Sequence, residues 1–192
     1  SSDIQYASEL GFAIKPVAVV RRSEDTLAAM VYPALVGFDR ILSRVNGVMN
    51  AVEVESDYAG RLFFSGPGAG SLATASAVVS DLGLIARNQG SVYPSLMGTE
   101  KLGVSYPDQS TSCCYLRFDV VDEKGIFARI TGALSDSGIS IDEVFQKNRD
   151  GGRASIVMIT HPAREKDLED CLSNVGKFGE LLQPIQRIRV LS

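Results

Sequence analysis

The pattern of apolar and polar positions changes period several times along the chain, and each change marks an element. Behind Ser2 and Asp3, the residues Ile4, Tyr6, Ala7 and Leu10 predict a short amphipathic helix closed by Gly11. Residues 12–20 and 26–36 are β-rich apolar runs on either side of the charged turn Arg21-Arg22-Ser23-Glu24-Asp25, which predicts a strand pair. Pro16 and Pro33 have no amide to donate and are expected at strand ends, edges or bulges. A one-turn helix over 39–43 and a turn at Asn46-Gly47 follow. Residues 50–56 then alternate, with Val52 and Val54 on one face and Glu53 and Glu55 on the other. This reads as a half-buried strand whose glutamates face solvent. A strand over 61–64 runs into Gly66-Pro67-Gly68-Ala69-Gly70. Beyond it, residues 71–87 predict a helix with Ala75, Val78, Val79, Leu82 and Ile85 near a 3.6 period.

From Asn88 to about Ser112 the period dissolves into Gly, Ser, Pro and Thr, as expected of a linker. The next segment is the most regular. In residues 115–121 Leu116, Phe118 and Val120 alternate with Arg117 and Asp119, the former expected inward and the latter outward. The turn Asp122-Glu123-Lys124-Gly125 opens a helix with Ile126, Ile130, Ala133 and Leu134 on one face, stopped by Ser137-Gly138. A strand over 139–146 and a hairpin turn at 149–152 lead to a strand over 153–160. A helix from Pro162, with Leu168, Cys171, Leu172 and Val175 at i, i+3, i+4, i+7, and a strand over 185–191 complete the order βαββαβ. That order predicts a ferredoxin-like antiparallel sheet with two helices on one face.

Composition narrows the partners. The 192 residues are 45% hydrophobic and 22% charged, ordinary values for a globular protein able to bury a core. A net charge of -4 offers no basic surface, so neither nucleic acid nor an anionic membrane is an expected partner. No apolar run approaches the ~20 residues that span a bilayer, and the first thirty residues lack a signal-peptide pattern. A soluble chain is expected. The 3 cysteines, an odd number with Cys113 and Cys114 adjacent, suit free thiols in a reducing cytoplasm, and burial is expected of that pair rather than redox chemistry. With 1 histidine and no zinc-like cysteine spacing, no metal is expected. His161 has no serine and acid placed for a triad and reads as a turn residue. The glycine-rich segment is not a Rossmann fingerprint, because Ser71 stands at the third glycine. It is not a P-loop either, because no Lys-Ser/Thr follows. Taken alone it is either a tight strand-to-helix turn or a loop where a ligand meets backbone.

Two family resemblances organise these readings. The acidic turn ending in Gly125 before Ile126-Phe127-Ala128-Arg129-Ile130, with Ser137-Gly138-Ile139-Ser140-Ile141 after the helix, resembles the ACT domain, an amino-acid-sensing module. The resemblance implies a ligand where the first strand of that module turns into its first helix, held partly by helix N-terminal amides whose dipole suits a carboxylate. Asp122, Lys124, Gly125 and Ile126 are the implied contacts, with Gln146 as a further candidate and paired domains completing the site. Read from the residue alone, Gly125 either admits the ligand to the backbone or only permits the turn. Gly125→Val is expected to abolish binding and leave the fold intact.

Upstream, Asp3-Ile4, Tyr6-Ala7, Glu9-Leu10-Gly11, Ile14-Lys15, Val45-Asn46-Gly47-Val48, Asn50-Ala51-Val52, Gly66 to Gly70, Thr74 to Val79 and Asp81 look like the carboxy-terminal part of the catalytic region of homoserine dehydrogenase. One common bacterial type of that enzyme also ends in an ACT domain. The resemblance implies reduction of aspartate semialdehyde to homoserine with NADP or NAD as cofactor. Gly68, Ala69 and especially Gly70 would lie against the nicotinamide, L-threonine is the expected effector, and a dimeric or tetrameric homo-oligomer is implied. It also implies that the Rossmann domain and the catalytic lysine lie upstream, so no catalytic residue is assigned here. Lys15 is not promoted to the role, and the chain alone is expected to be inactive. The fold class is α+β: residues 1–95 a mixed-sheet α/β remnant of the catalytic and dimerisation region, 96–112 a linker, and 113–192 a ferredoxin-like βαββαβ ACT domain. A stand-alone dimeric amino-acid-binding regulator is the alternative.

Overall fold

The computed structural model describes residues 2–23, 25–87, 102–105, 110–149 and 151–191. They form two compact units that do not follow chain order, one built from residues 1–37 and 102–192, the other from 38–101. The first unit starts with α1 (Ser2–Glu9), β1 (Phe12–Ser23) and β2 (Thr26–Gly37); the second holds a 3-10 turn (Ile41–Arg44), β3 (Met49–Ser56), β4 (Gly60–Pro67) and α2 (Ser71–Arg87). The chain then returns to the first unit with β5 (Gly103–Val104), β6 (Thr111–Ser112), β7 (Cys114–Val121), α3 (Ile126–Asp136), β8 (Ile141–Arg149), β9 (Arg153–Thr160), β10 (Ala163–Arg164), α4 (Glu165–Val175) and β11 (Gln186–Val190).

The βαββαβ order assembles as expected, in the sheet order β11-β7-β9-β8 with every neighbouring pair antiparallel. The helix faces read from the 3.6 period are the buried ones: Ile126, Ile130 and Leu134 of α3, and Leu168, Cys171 and Val175 of α4, pack on Leu116, Phe118, Val120, Ile156 and Met158. α4 starts at Glu165 rather than at Pro162, because Ala163 and Arg164 pair with Ser112 and Thr111. Of the expected linker, residues 96–101 and 106–109 lie outside the described residues. Its described parts contain two-residue strands, too short to show a period.

The sheet does not stop at β11. Arg189 and Val190 pair in parallel with Ala34 and Leu35, so the β1–β2 hairpin continues the ferredoxin-like sheet. Pro16 and Pro33 are not at strand ends: they sit directly opposite each other within the hairpin. Two prolines can oppose one another only where neither amide would have pointed at the partner strand. β1 is moreover an edge, and β2 uses its far side only at 26–27 and 34–35.

Covering by α1 overturns the expected outward face of β7. Tyr6 and Ala7 pack with Leu35, Tyr115, Val157 and Ile159 on the side of the sheet opposite α3 and α4. Arg117 and Asp119, expected in solvent, are only 9% and 8% exposed. Alternation correctly assigned them to the other face; that face is itself covered.

The second unit differs in kind. β3 and β4 form a complete antiparallel hairpin from Met49↔Pro67 to Ser56↔Gly60, and α2 spans the predicted residues. Among the described residues none of its apolar side chains is buried. The expected polarity of β3 holds only for Glu55, which is exposed: Glu53 is partly covered, paired with Arg40 at 2.7 Å, whereas Val52 is 60% exposed. Val54, Leu62, Phe64, Leu72, Val79, Leu82 and Ile85 are exposed as well. Patterning recorded a burial that this unit does not supply by itself.

Candidate functional site

The turn from β7 into α3 is set by backbone. Asp122 donates its N–H to the Gly152 carbonyl at 2.8 Å and Glu123 its N–H to the Val121 carbonyl at 2.9 Å, which ends the strand. Gly125 then stands at φ +93, a left-handed conformation that side chains other than glycine's rarely adopt. That reversal starts α3, whose first turn leaves amides unpaired. Ile126 N–H reaches the Glu123 carbonyl at 3.4 Å and Arg129 N–H the Gly125 carbonyl at 2.9 Å, while those of Phe127 and Ala128 have no backbone acceptor among the described residues. Nothing lies within 4 Å of where a Gly125 Cβ would be.

Of the residues read from the sequence, Asp122, Lys124, Gly125 and Ile126 are contiguous here, with Asp122 and Lys124 exposed and Ile126 buried at 5%. Gln146 stands apart on β8, opposite Ile156, with β9 between it and β7. Two cavities of this unit, of ≈ 430 and ≈ 720 Å³, are lined by none of the five. Valine at Gly125 would meet no neighbour, but its branched Cβ at that φ strains the backbone. The expected separation of binding from folding therefore does not hold for Gly125→Val.

In the second unit the glycine-rich segment joins β4 to α2. Gly68 donates to the Val48 carbonyl at 2.8 Å, and a Cβ on it would lie 1.4 Å from Asn50 Nδ2, so a side chain here would displace that of Asn50. Gly70 has φ +121, receives the Thr74 amide at 3.0 Å on its carbonyl, and has nothing within 4 Å of a Cβ position. Gly68 is thus explained by packing. Gly70 combines a glycine-only backbone with open space beside it.

Sequence reading missed two buried charge clusters, both in the first unit. In one, Arg117 donates Nε–H to Asp3 Oδ1 at 2.6 Å, Nη2–H to Asp3 Oδ2 at 3.2 Å and Nη1–H to Asp119, while Ser155 Oγ donates to Asp119 at 2.5 Å and Tyr115 Oη to Asp3 at 3.0 Å. Burial pushes the Asp3 carboxyl up, but the bonds from Arg117 and Tyr115 outweigh it and hold it below its ordinary value. In the other, Glu165 at the start of α4 is 5% exposed and accepts from Arg189 at 2.9 and 2.8 Å, from Ser112 at 2.5 Å and from Arg187. Burial raises its pKa, and Arg189, Ser112 and Arg187 bring it below the ordinary glutamate value. The signal available in the sequence was the two-residue spacing of Arg117 with Asp119 and of Arg187 with Arg189, which puts each pair on one strand face.

Of the expected Cys113-Cys114 pair only Cys114 is buried, Cys113 being partly exposed. His161 is at the surface, 3.8 Å from Asp142; all 3 cysteines are free, with Cys114 and Cys171 buried. Among the described residues no three His, Cys, Asp or Glu side chains are grouped to hold a metal, and no helix is long and apolar enough to cross a membrane.

Comparison with known proteins divides the chain in the same two parts as its motifs. The homoserine dehydrogenase family model matches residues 1–82 and the ACT domain model residues 115–177. Similar proteins include the homoserine dehydrogenases of Helicobacter pylori, 33% identical over 98% of this chain and 45% of its own length, and of Neisseria gonorrhoeae, 36% identical over 100% of this chain and 46% of its own. A solved homoserine dehydrogenase from Thiobacillus denitrificans is 31% identical with a TM-score of 0.83, over 100% of this chain and 45% of that one. The chain spans somewhat less than half the length of these relatives.

Proposed function

Since the chain belongs to the homoserine dehydrogenase family, we propose that it supplies the carboxy-terminal share of an enzyme that reduces aspartate semialdehyde to homoserine with NAD(P)H, together with an ACT domain that senses L-threonine. The observation that carries this reading is the succession in one chain of the two family segments, 1–82 and 115–177. It also favours an enzyme over a stand-alone regulator, because the first segment has no place in the latter.

The nicotinamide supplies the hydride when bound. This chain's part is to let it approach backbone at Gly68, Ala69 and Gly70; the open side of Gly70 fits that role, since a flat ring needs contact without a side chain in the way. The exposed stripe of α2 and the Val52, Val54, Leu62 and Phe64 side chains are surfaces for the remainder of the enzyme or a second subunit to cover, within a cytoplasmic homo-oligomer. At the other site the unpaired amides of Phe127 and Ala128, at the positive end of α3, suit the effector's carboxylate, and Asp122 beside them suits its ammonium. Gln146 on β8 belongs to a neighbouring copy's contribution, given its distance from the turn within one chain.

Isothermal titration with L-threonine, with L-serine, L-isoleucine and L-methionine as comparisons, tests the regulatory part, alongside light scattering for mass in solution. Saturable binding to a dimer or larger assembly is expected, with threonine tightest. Asp122→Ala, an exposed change expected to alter stability by about 0.5 kcal/mol or less, should weaken threonine binding roughly tenfold or more through the lost charge-assisted bond. Unchanged affinity would move the effector away from this turn. Hydride transfer is tested on the full-length enzyme with aspartate semialdehyde, where Gly70→Ala should raise the KM for the dinucleotide; because φ +121 strains any side chain there, thermal stability of the variant is measured beside its KM.

A further inference from the structure

The loop from Gly176 to Ile185 carries the chain from α4 to β11, and backbone bonds tether it. Gly176 donates to the Leu172 carbonyl at 2.8 Å, Phe178 to the Val175 carbonyl at 3.0 Å and Leu182 to the Asp119 carbonyl at 2.8 Å, while the Glu180 carbonyl accepts from Val121 at 2.9 Å. Leu172, Phe178, Leu181 and Ile185 pack against the core on the helix side of the sheet and stay only partly buried. Together with Leu182 they line an open cavity of ≈ 720 Å³, which Arg187 of β11 also lines. A trough of this volume, walled by a tethered loop, is pre-formed and of small-molecule size.

The charge in this lining is a cation in surplus. Glu165 is one carboxylate bonded by two guanidiniums, Arg187 and Arg189, and by Ser112. Among the described residues neither guanidinium pairs with a second carboxylate, so one positive charge is unmatched. A guanidinium has five N–H donors. Arg187 spends an Nη2–H on Glu165, which leaves Nε–H and the Nη1 pair without an acceptor among the described residues, on a side chain that is 23% exposed. Guanidinium forks are matched to carboxylates. No acidic side chain lines the cavity, and the Glu165 oxygens are already engaged, so a ligand's ammonium would find no counter-charge.

We propose that this trough is a second ligand site, which takes a small carboxylate with an apolar tail and no ammonium group. The carboxylate sits on the spare N–H groups of Arg187 and the tail lies against Leu172, Phe178, Leu181 and Leu182. The site goes beyond the threonine reading and does not depend on it, since none of its lining residues belongs to the turn at Gly125. An occupant touches α4, the loop and β11 together, so binding it stabilises the packing of α4 on the last strand.

The test is calorimetric titration of the whole chain with isocaproate, with acetate, isohexanol and L-leucine as comparisons. Isocaproate should bind saturably. Acetate lacks the tail, isohexanol lacks the charge and L-leucine adds an ammonium, so each should bind at least about tenfold more weakly. Arg187→Leu should abolish isocaproate binding and Arg187→Lys restore part of it. Because Arg187 also holds Glu165, Leu182→Glu supplies an independent check. Leu182 is 39% exposed and its hydrogen bond to β7 is made by backbone, so the variant should keep the wild-type unfolding temperature yet lose about tenfold in affinity by repelling the carboxylate. Leu182→Met should bind as the wild type does. The proposal is overturned if isocaproate does not bind saturably, if Leu182→Glu leaves its affinity unchanged, or if L-leucine binds as tightly. Isocaproate binding lost in Asp122→Ala would also overturn it by placing the ligand at the turn, whereas threonine binding is read separately and stands or falls on that variant alone.

Discussion

Replacing Arg117 by methionine is expected to cost about 3–5 kcal/mol and to loosen α1 from the sheet. Methionine keeps much of the side-chain volume, so the loss is not one of packing. What disappears is the cation between Asp3 and Asp119, leaving carboxylates with side-chain exposures of only 16% and 11% uncompensated. Breaking a buried pair from one side is costly because hydroxyl donors such as Tyr115 on Asp3 and Ser155 on Asp119 do not replace the lost cation. Arg117's own pKa is lowered by burial but raised overall by its bonds to Asp3 and Asp119, so the wild-type cation persists at every accessible pH. The pH dependence separates this account from a general loss of fit. In the wild type Asp3 is held below its ordinary value, so its contribution is complete above the unfolded carboxylate range near pH 4 and is lost as pH falls through the lower folded value. In the methionine variant Arg117 no longer lowers the Asp3 pKa, so this acid-dependent contribution shrinks. The stabilities read from urea denaturation should therefore converge as pH falls below about 4. A difference under about 1 kcal/mol at neutral pH would mean that the cluster behaves as a solvated surface pair.

Glu165→Gln has the next largest expected effect, about 2–3 kcal/mol, from several charge-assisted bonds weakened together. Its carboxylate gathers Ser112, Arg187 and Arg189 at the first turn of α4, and its own amide donates to the Ser110 carbonyl at 3.0 Å. Glutamine offers one carbonyl and turns an NH2 toward the guanidiniums. The consequence reaches beyond α4, because Arg189 also lies 4.9 Å over the Tyr32 ring on β2, so Glu165 steadies the side chain that joins the ACT sheet to the hairpin. Glu165 is likewise held below its ordinary pKa, so its stabilisation is present above about pH 4 and lost as pH falls through the folded value. The variant should lack that acid-dependent part. Thermal denaturation followed at several pH values checks both the size and the missing titration; an unchanged pH profile would assign the acid sensitivity elsewhere.

These two clusters also show where reading from sequence stopped. Arg117 and Asp119 were assigned to the right face of β7, but the alternation of a strand says which residues share a face, not what lies on it. The helix that covers them is α1, whose Asp3 stands 114 positions before Arg117. Val52 and Val54 were read as inward on the same reasoning, and the described residues leave them exposed. In both cases a local pattern reported a partner it could not name. The candidate sites were legible to the extent that they depend on backbone: Gly70 and Gly125 both adopt the positive φ that a strand-to-helix reversal demands. Gln146 could not be connected to the turn, because whether β9 separates β8 from β7 is a matter of topology.

The sequence by itself therefore determined the order βαββαβ, the buried faces of α3 and α4, and the glycine turns, since each rests on periodicities of two to four residues or on one residue's permitted dihedrals. Only the tertiary structure decided that β11 would join β2, that α1 would close the far side of the sheet, and that Arg117 and Glu165 would be buried among opposite charges. Those outcomes depend on which distant segments meet. Their free energy comes from surfaces and charges brought together across the chain, of which no short stretch carries a record.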